Sequence, residues 1–394
     1  MVVPKLRFQE FDGDWPSIPL KNFVSFRKGK GISKADIQED GVFECIRYGE
    51  LYTTYGQVIT TIKSRTNISP SESILSQSGD VIIPASGETQ IDIATASCVA
   101  KENVILGGDL NILSHNESGE WLAYYLSSAK KLEIAQLAQG NSVVHLYSSQ
   151  LKELKVNRPS KEEQTKIATF LSAVDEKIAQ LSQKLHLLGQ YKQGMMQKLF
   201  SQQIRFKADD GSDFWEWEET QLISISEIIM GSSPKSENYN ENSIGLPLLQ
   251  GNADIKNRKS APRLYTSEIT KTCDINDILL SVRAPVGFVA VSKHIACIGR
   301  GLCSIRAKNE YSQDFLYQWL LNHEKLWVSL SQGSTFDSVN SEQIKKLCIL
   351  VPCLEEQTKI ANFLSTIDKK MDVVSEQLKQ TKTWKKGLLQ QMFV

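Results

Sequence analysis

Two stretches of the chain have apolar residues spaced alternately four and three positions apart. The first contains Ile167, Leu171, Val174, Ile178, Leu181, Leu185 and Leu188, then Met195 and Leu199. The second contains Ile360, Leu364, Ile367, Met371, Val374 and Leu378, then Leu388 and Met392. This spacing predicts two long helices, each with a coiled-coil seam. Polar residues interrupt both seams, at Lys192 in the first and at Thr381 and Lys385 in the second.

The two helical segments are copies of one another. Residues 162–168 and 355–361 both read Glu-Glu-Gln-Thr-Lys-Ile-Ala. Pro159 and Pro352 precede the copies and should mark the helix starts, since proline does not fit inside a helix. The paired glutamates then fall in the first turn, where the helix dipole favours negative charge.

The repeat extends into the segments that precede the helices. Leu6-Arg7-Phe8, followed by Trp15, is echoed by Ile204-Arg205-Phe206, followed by Trp215 or Trp217. The chain therefore divides into a globular part at 1–157, a helix at 158–200, a second globular part at 201–350 and a second helix at 351–394. A duplicated scaffold whose globular surfaces differ suits a reader of two different targets.

The globular parts have the pattern of a mixed α/β fold. Apolar runs predict strands at 81–83, 278–282 and 286–291. Longer apolar stretches predict a helix over 121–137 that ends near Gly140, and a counterpart over 315–330 that ends near Gly333. The long helices can pair with each other or with another chain. Pairing with each other needs no second molecule, and a helix used only for dimerisation is the alternative.

Composition limits the function classes. Apolar residues make up 41% of the chain, which is typical of globular proteins. No run is long and apolar enough for a membrane span, and the first residues lack a leader pattern, so we expect a cytoplasmic protein. The seven cysteines include no C-x-x-C pair, which argues against a disulfide framework or a zinc site. Lysine plus arginine equals aspartate plus glutamate, 45 against 45, which is not typical of a self-sufficient DNA binder.

Basic, aromatic and small polar residues nevertheless cluster locally, and arginine, asparagine and glutamine are the side chains that read base edges. The candidate DNA contacts of the first globular part are Lys28, Lys30, Lys34, Arg47, Tyr48, Tyr52, Lys63, Arg65, Asn141 and Ser142. Those of the second are Arg258, Lys259, Arg283, Arg300, Ser334 and Thr335. A run of charges is more often a solvated surface, and the small polar residues also suit a loop after a helix end.

Motifs of catalysis are missing from the sequence. It contains no phosphate-binding G-x-x-x-x-G-K-[ST], no H-E-x-x-H and no G-x-S-x-G, and the five histidines lack metal-ligand spacing. The Asn/Asp-Pro-Pro-aromatic string of adenine-amino methyltransferases is also missing. We therefore expect a non-catalytic protein with no cofactor and no metal.

These features together resemble the specificity subunit of a type I restriction–modification system. The resemblance rests on the duplicated helix start, the opening Leu6-Arg7-Phe8 with its echo, and three internal segments. Those segments are 46–52 (Ile-Arg-Tyr-Gly-Glu-Leu-Tyr), 281–287 (Ser-Val-Arg-Ala-Pro-Val-Gly) and 299–301 (Gly-Arg-Gly). It covers nearly the whole chain.

The resemblance implies two tandem α/β target-recognition domains related by a pseudo-twofold internal repeat. Each would read one half of a bipartite site in double-stranded DNA, and the helices would form an antiparallel coiled coil that sets the spacer. Two modification subunits would methylate adenine, and restriction subunits would join the complex. Two rivals remain: a coiled-coil adaptor with two protein-binding domains, and a nuclease or methyltransferase with a disguised site.

Overall fold

The computed structural model describes residues 3–140, 143–332 and 338–394, and of residues 325, 326 and 328–332 it describes the backbone alone. Contacts divide the chain into two compact units. The first unit combines Met1–Ser182 with Glu376–Val394, and the second is Gln183–Ser375. Each unit therefore contains one globular domain and a part of each long helix.

The first domain is built on a five-stranded sheet. Its strands, in spatial order, are Val24–Lys28, Leu110–His115, Asp80–Pro84, Ser97–Val99 and Val58–Ile59. A three-stranded sheet contains Ser64–Thr66, Phe43–Ile46 and Ile105–Leu106. Two short ribbons pair Ser17–Pro19 with Lys155–Asn157, and Val144–His145 with Ser86–Gly87. The strand predicted at 81–83 is confirmed as the fully buried centre of the larger sheet.

Short helices cover this sheet. The α-helices are Glu50–Thr53, Gln90–Ile93, Gly119–Ser128, Lys131–Leu137 and Ser148–Glu153. Single 3-10 turns occur at Leu20–Asn22, Lys34–Asp36 and Pro70–Glu72. The prediction of a single helix over 121–137 is wrong in one respect, because this segment forms two helices, Gly119–Ser128 and Lys131–Leu137. The Lys130 amide donates to Tyr125 O at 3.3 Å, and the resulting turn brings Ile134 and Ala135 into the core.

The second domain has a six-stranded sheet in the order Ser226–Met230, Leu302–Ala307, Ile278–Ser281, Val289–Val291, Lys259–Ser260 and Ile255–Lys256. A five-stranded sheet contains Tyr239–Asn240, Leu264–Thr266, Leu246–Leu249, Ala296–Ile298 and Thr272–Cys273. Glu218–Gln221 pairs with Cys348–Val351 in a separate ribbon. The α-helices are Leu222–Ile225, Gln313–Gln332 and Ser341–Lys345, and 3-10 turns occur at Ser236–Asn238 and Asn252–Asp254.

The strand predicted over 286–291 begins only at Val289. The preceding residues form the turn that joins it to Ile278–Ser281. Gly287 has a φ of 87°, which favours glycine, and its amide donates to Ser281 O at 2.9 Å. The mixed α/β fold class is confirmed in both domains.

The two long helices are Lys161–Phe200 and Leu354–Met392, so both predicted helices are confirmed and both begin after their prolines. In the first unit, Ile167, Leu171 and Val174 share a buried core with Leu388 and Met392. In this core the early residues of one helix pack with the late residues of the other, so the helices run antiparallel there, as the resemblance implied.

The second unit repeats this helix pairing. Met196 and Leu199 of the first helix share a buried core with Ile360, Leu364 and Ile367 of the second. Early residues again pack with late ones, which is the antiparallel arrangement.

The duplicated sequence motif forms the same clamp in each unit. Arg7 donates two hydrogen bonds of 2.7 Å to buried Glu163, to which Trp15 Nε1 also donates. In the second unit Arg205 donates to buried Glu356 at 2.9 and 3.2 Å.

Trp217 Nε1 completes the second clamp by donating to Glu356 Oε2 at 3.1 Å. Trp217, and not the 87% exposed Trp215, is therefore the counterpart of Trp15. Each clamp holds the start of a domain against the first turn of its long helix.

Within the described part of the chain, no helix is long and apolar enough to cross a membrane.

Candidate nucleic-acid interface

Each domain has the same set of backbone hydrogen bonds where its strands end. In the first domain, Gly29 N donates to Leu110 O at 3.0 Å, and Gly107 N donates to Ile46 O at 2.9 Å. In the second domain, Gly231 N donates to Leu302 O at 3.0 Å, and Gly299 N donates to Leu249 O at 2.8 Å. The segments that follow or precede these strands therefore meet in one place in each domain.

Glycine makes this meeting of backbones possible. A Cβ on Gly29 would lie 1.9 Å from Gly107 O, and a Cβ on Gly231 would lie 2.1 Å from Gly299 O. No side chain fits at such distances, so the two domains use glycine at the same place for the same steric reason.

In the second domain the strand ends surround a polar cleft of about 490 Å³. It is lined by Ser233, Pro234, Ser236, Tyr239, Gln250, Gly251, Asn252, Arg283, Ala284, Arg300 and Gly301. Two predicted contacts, Arg283 and Arg300, are thus brought together although they are far apart in sequence. Both are exposed, and neither forms a salt bridge with any residue that the structure describes.

The cleft also contains amide side chains that the sequence prediction missed. Gln250 follows the strand Leu246–Leu249, and Asn252 lies two residues further on. The Asn252 Nδ2 group donates to Pro285 O at 3.1 Å, whereas its buried Oδ1 has no partner among the described residues. Two guanidinium groups beside two amides form a set of donors and acceptors that suits base edges and phosphates.

In the first domain, three lysines that are predicted DNA contacts lie around the end of the strand Val24–Lys28. Lys28, Lys30 and Lys34 are exposed, and none forms a salt bridge with a described residue. Lys34 begins a 3-10 turn that Ser33 and Asp36 cap reciprocally. These lysines give this part of the surface unpaired positive charge.

Arg47 directly follows the strand Phe43–Ile46, and two further predicted DNA contacts, Tyr48 and Tyr52, come soon after it in the sequence. Its side chain is 26% exposed and approaches Glu50 Oε1 at 3.5 Å, while its buried Nε atom has no partner among the described residues. Tyr48 packs against a small apolar core, and Tyr52 is half-buried. Burial raises the pKa of Tyr52, so its hydroxyl stays protonated and able to donate.

Two predicted contacts are held by the protein itself. Arg65 donates from Nε to Gly41 O at 2.6 Å and from Nη2 to Val42 O at 2.9 Å. Arg258 makes a two-point ion pair with Glu324, at 2.5 and 2.8 Å, and lies over the Phe288 ring. These bonds favour a bracing role for both arginines.

The Glu324 carboxylate also affects the pKa of the Arg258 guanidinium. Burial by itself lowers the pKa of the Arg258 guanidinium, and the bonds and charge of Glu324 outweigh burial and raise it.

The remaining predicted contacts that the structure describes are not braced in this way. Lys63 is exposed, and exposed Lys259 is 3.9 Å from Asp372. Asn141, Ser142, Ser334 and Thr335 lie outside the described residues.

Comparison with known proteins identifies the family. Residues 12–188 and 215–382 match the family described as Type I restriction modification DNA specificity domain, and the chain belongs to this family. It is a specificity subunit of a type I restriction–modification system, with tandem target-recognition domains.

Two relatives come from Methanocaldococcus jannaschii. The proposed specificity subunit of the type I restriction enzyme MjaX is 35% identical over 281 residues, which span 68% of this chain and 66% of the relative. The specificity subunit of type I restriction enzyme MjaVIII is 22% identical over 408 residues, 97% of this chain and 94% of the relative.

Two solved structures have the same fold. The S subunit of the type I restriction–modification system from M. genitalium matches with a TM-score of 0.69 at 18% identity, over 100% of this chain and 99% of the other. A second chain comes from a study of type I system assembly and conformational transition. It matches with a TM-score of 0.61 at 23% identity, over 96% and 97% of the two chains.

Proposed function

We propose that each domain reads one half of a bipartite DNA site, and that the paired helices set the spacer between the halves. The observation that carries this proposal is that the strand ends meet through equivalent hydrogen bonds in both domains, at Gly29 and Gly107 in the first and at Gly231 and Gly299 in the second. The polar side chains presented there differ between the two domains. The same backbone arrangement with different side chains suits a target whose two halves differ.

The proposed interface of the first domain consists of the unpaired or partly exposed residues Lys28, Lys30, Lys34, Arg47, Tyr48, Tyr52 and Lys63. That of the second domain consists of Arg283, Arg300 and Lys259, with Gln250 and Asn252 added from the cleft. Asn141, Ser142, Ser334 and Thr335 stay in the proposal on sequence grounds alone. Arg65 and Arg258 are more important to the fold, because their guanidinium groups already hold protein partners.

The chain acts within a larger assembly in this proposal. Two modification subunits would bind it and methylate adenine in the target, and restriction subunits would join them in the cytoplasm. The equal numbers of acidic and basic residues support this dependence, since partners would then supply much of the positive charge that DNA binding needs. The chain itself would carry out no chemistry.

Mapping of methylated adenines tests the proposal. In a genome that carries this chain with its modification partners, we expect one bipartite motif, and deletion of this chain should abolish it. The purified complex should also bind target DNA with a log–log salt slope of about −0.9 for each phosphate neutralised. Methylation without sequence preference, or binding that does not respond to salt, would refute DNA reading by this subunit.

A further inference from the structure

Three positions are structurally equivalent in the two domains but hold different side chains. The first position follows the strand that Gly107 or Gly299 touches. Because Gly107 N bonds to Ile46 O and Gly299 N bonds to Leu249 O, the next residues, Arg47 and Gln250, are counterparts.

The second position follows the central strand of the larger sheet. Ala85 N donates to Asp109 O at 2.7 Å, and Val282 N donates to Gly301 O at 2.9 Å. The carbonyl oxygens of Ala85 and Val282 both accept at 2.9 Å from the segment before the long helix. The residues that come next, Ser86 and Arg283, are therefore counterparts.

The third position directly follows Gly107 in the first domain and Gly299 in the second. It lies two residues before the strand that begins at Leu110 or Leu302. In the first domain it is Gly108, whose amide donates to Gly31 O. In the second domain it is Arg300, whose amide donates to Ser233 Oγ at 3.1 Å. A Cβ on Gly108 would lie 3.2 Å from Gly31 O, so the first domain leaves little room for a side chain where the second carries arginine.

A buried carboxylate fixes the backbone at the first position in both domains. Arg47 N donates to Glu50 Oε2 at 2.8 Å, and Gln250 N donates to Asp254 Oδ2 at 2.8 Å. Glu50 and Asp254 are both buried, with 6% and 2% of their surface exposed. The scaffold is thus held in the same way while the outward side chain changes.

We propose that these three positions determine which bases each domain reads. This inference rests on the proposed function. The second domain would use Arg283 and Arg300 to read guanine and Gln250 to read adenine, because a guanidinium matches guanine O6 and N7 and a carboxamide matches adenine N6 and N7.

The first domain would read with one arginine, Arg47, at these positions. Ser86 is short and its Oγ lies 3.2 Å from His145 Nδ1, and Gly108 has no side chain. The second half-site therefore contains more arginine-read G·C pairs than the first half-site does at these positions.

Exchange of residues between equivalent positions tests this inference. The variants Arg283→Ser and Arg300→Gly each receive the first domain's residue, and Arg300→Lys keeps the charge but loses the two-point fork. In complex with the modification subunits, each should lose about 5- to 150-fold discrimination at one base pair of the second half-site. The first half-site should stay unchanged, and Lys293→Ser, which removes an exposed charge in the same domain, should keep both half-sites.

The outcomes separate this inference from the proposed function. If the wild-type complex has a bipartite motif but Arg283→Ser and Arg300→Gly leave the second half-site unchanged, the three positions do not set specificity. Full activity and specificity in Arg300→Lys would make Arg300 a phosphate contact and overturn its assignment. Thermal melting like that of the wild-type chain shows that the second domain of a variant is folded, so loss of the second half-site is then a loss of reading.

Discussion

Lys192 Nζ lies 2.7 and 2.8 Å from the two carboxylate oxygens of Asp368, which is on the opposite long helix of the second unit. The equivalent pair in the first unit joins Lys385 to Asp175 at 2.5 Å. Both lysines interrupt an apolar seam, and the antiparallel partner supplies the counter-charge. These two lysine breaks in the seams are therefore sites of specific pairing.

Removal of one partner of the Lys192–Asp368 pair should destabilise the second unit. Lys192 is only 11% exposed against 37% for Asp368, so Asp368→Leu, which strands the lysine, should cost more than Lys192→Leu. We expect the double variant to recover on the order of 1 kcal/mol or more relative to the sum of the single changes. Urea unfolding in a double-mutant cycle measures this coupling.

The exposed pair Lys207 and Asp213 is a matched control for this cycle, and its coupling should be close to zero. Additive single changes at Lys192 and Asp368 would mean that the seam pair makes no specific contribution.

The second domain should lose stability in acid through Asp277. Burial alone would raise the pKa of Asp277, but hydrogen bonds from Arg306, Asp274 N and Ser304, with the charge of Arg306, lower it below its ordinary value. The ionised carboxylate therefore stabilises the fold above an unfolded pKa of about 3.9, and this contribution disappears as pH falls through the lower folded pKa.

Urea unfolding at several pH values tests this assignment. Asp277→Asn should be less stable than the wild type at neutral pH, with a smaller further loss between pH 5 and pH 2. The same change at exposed Asp372 should leave the pH profile close to that of the wild type. An undiminished acid loss in Asp277→Asn would assign the effect to other groups.

A single methyl group at Gly301 should disturb the cleft without removing any polar group. A Cβ at this residue would lie 2.2 Å from Gln250 O, so the two strand ends must separate. We expect Gly301→Ala to cost about 1–3 kcal/mol of unfolding free energy and to weaken reading of the second half-site.

Gly251→Ala is the steric control, because nothing lies within 4 Å of its added Cβ and its φ of 173° is ordinary extended backbone. Thermal melting of the two variants should differ clearly. Equal stability would mean that the close approach at Gly301 can relax at no cost.

Lengthening both long helices tests the proposed spacer role. Seven residues inserted after Ser182 and seven after Ser375 fall at the boundaries of the two units, so each unit keeps its own contacts. The insertion adds about 10 Å of helix and preserves the heptad pattern. Methylation mapping should then find the same two half-sites with a spacer changed by a few base pairs.

Insertion after Ser182 alone is the control, since it lengthens one helix and not its partner. We expect it to impair assembly or methylation. An unchanged spacer in the doubly lengthened chain would contradict the role of the helices in spacing.

The long helices and the duplication could be predicted because heptads and copied motifs are local in sequence. The strand-end cleft could not, because Gln250, Arg283 and Arg300 are brought together by hydrogen bonds between distant strands. Arg258 has the local surroundings of a free basic residue, yet Glu324 and Phe288 hold it in place. The sequence shows which residues carry positive charge, but not which of them already form ion pairs or hydrogen bonds within the protein.

The division of the chain into units has a consequence for its synthesis. Leu388, Met392 and Phe393 belong to the core of the first domain, although the ribosome makes them after the whole second domain. At 5–20 residues per second, the first domain waits roughly 10–40 s for these side chains. Its apolar core is incomplete during that interval, so a nascent chain released early would expose the surface that residues 376–394 cover.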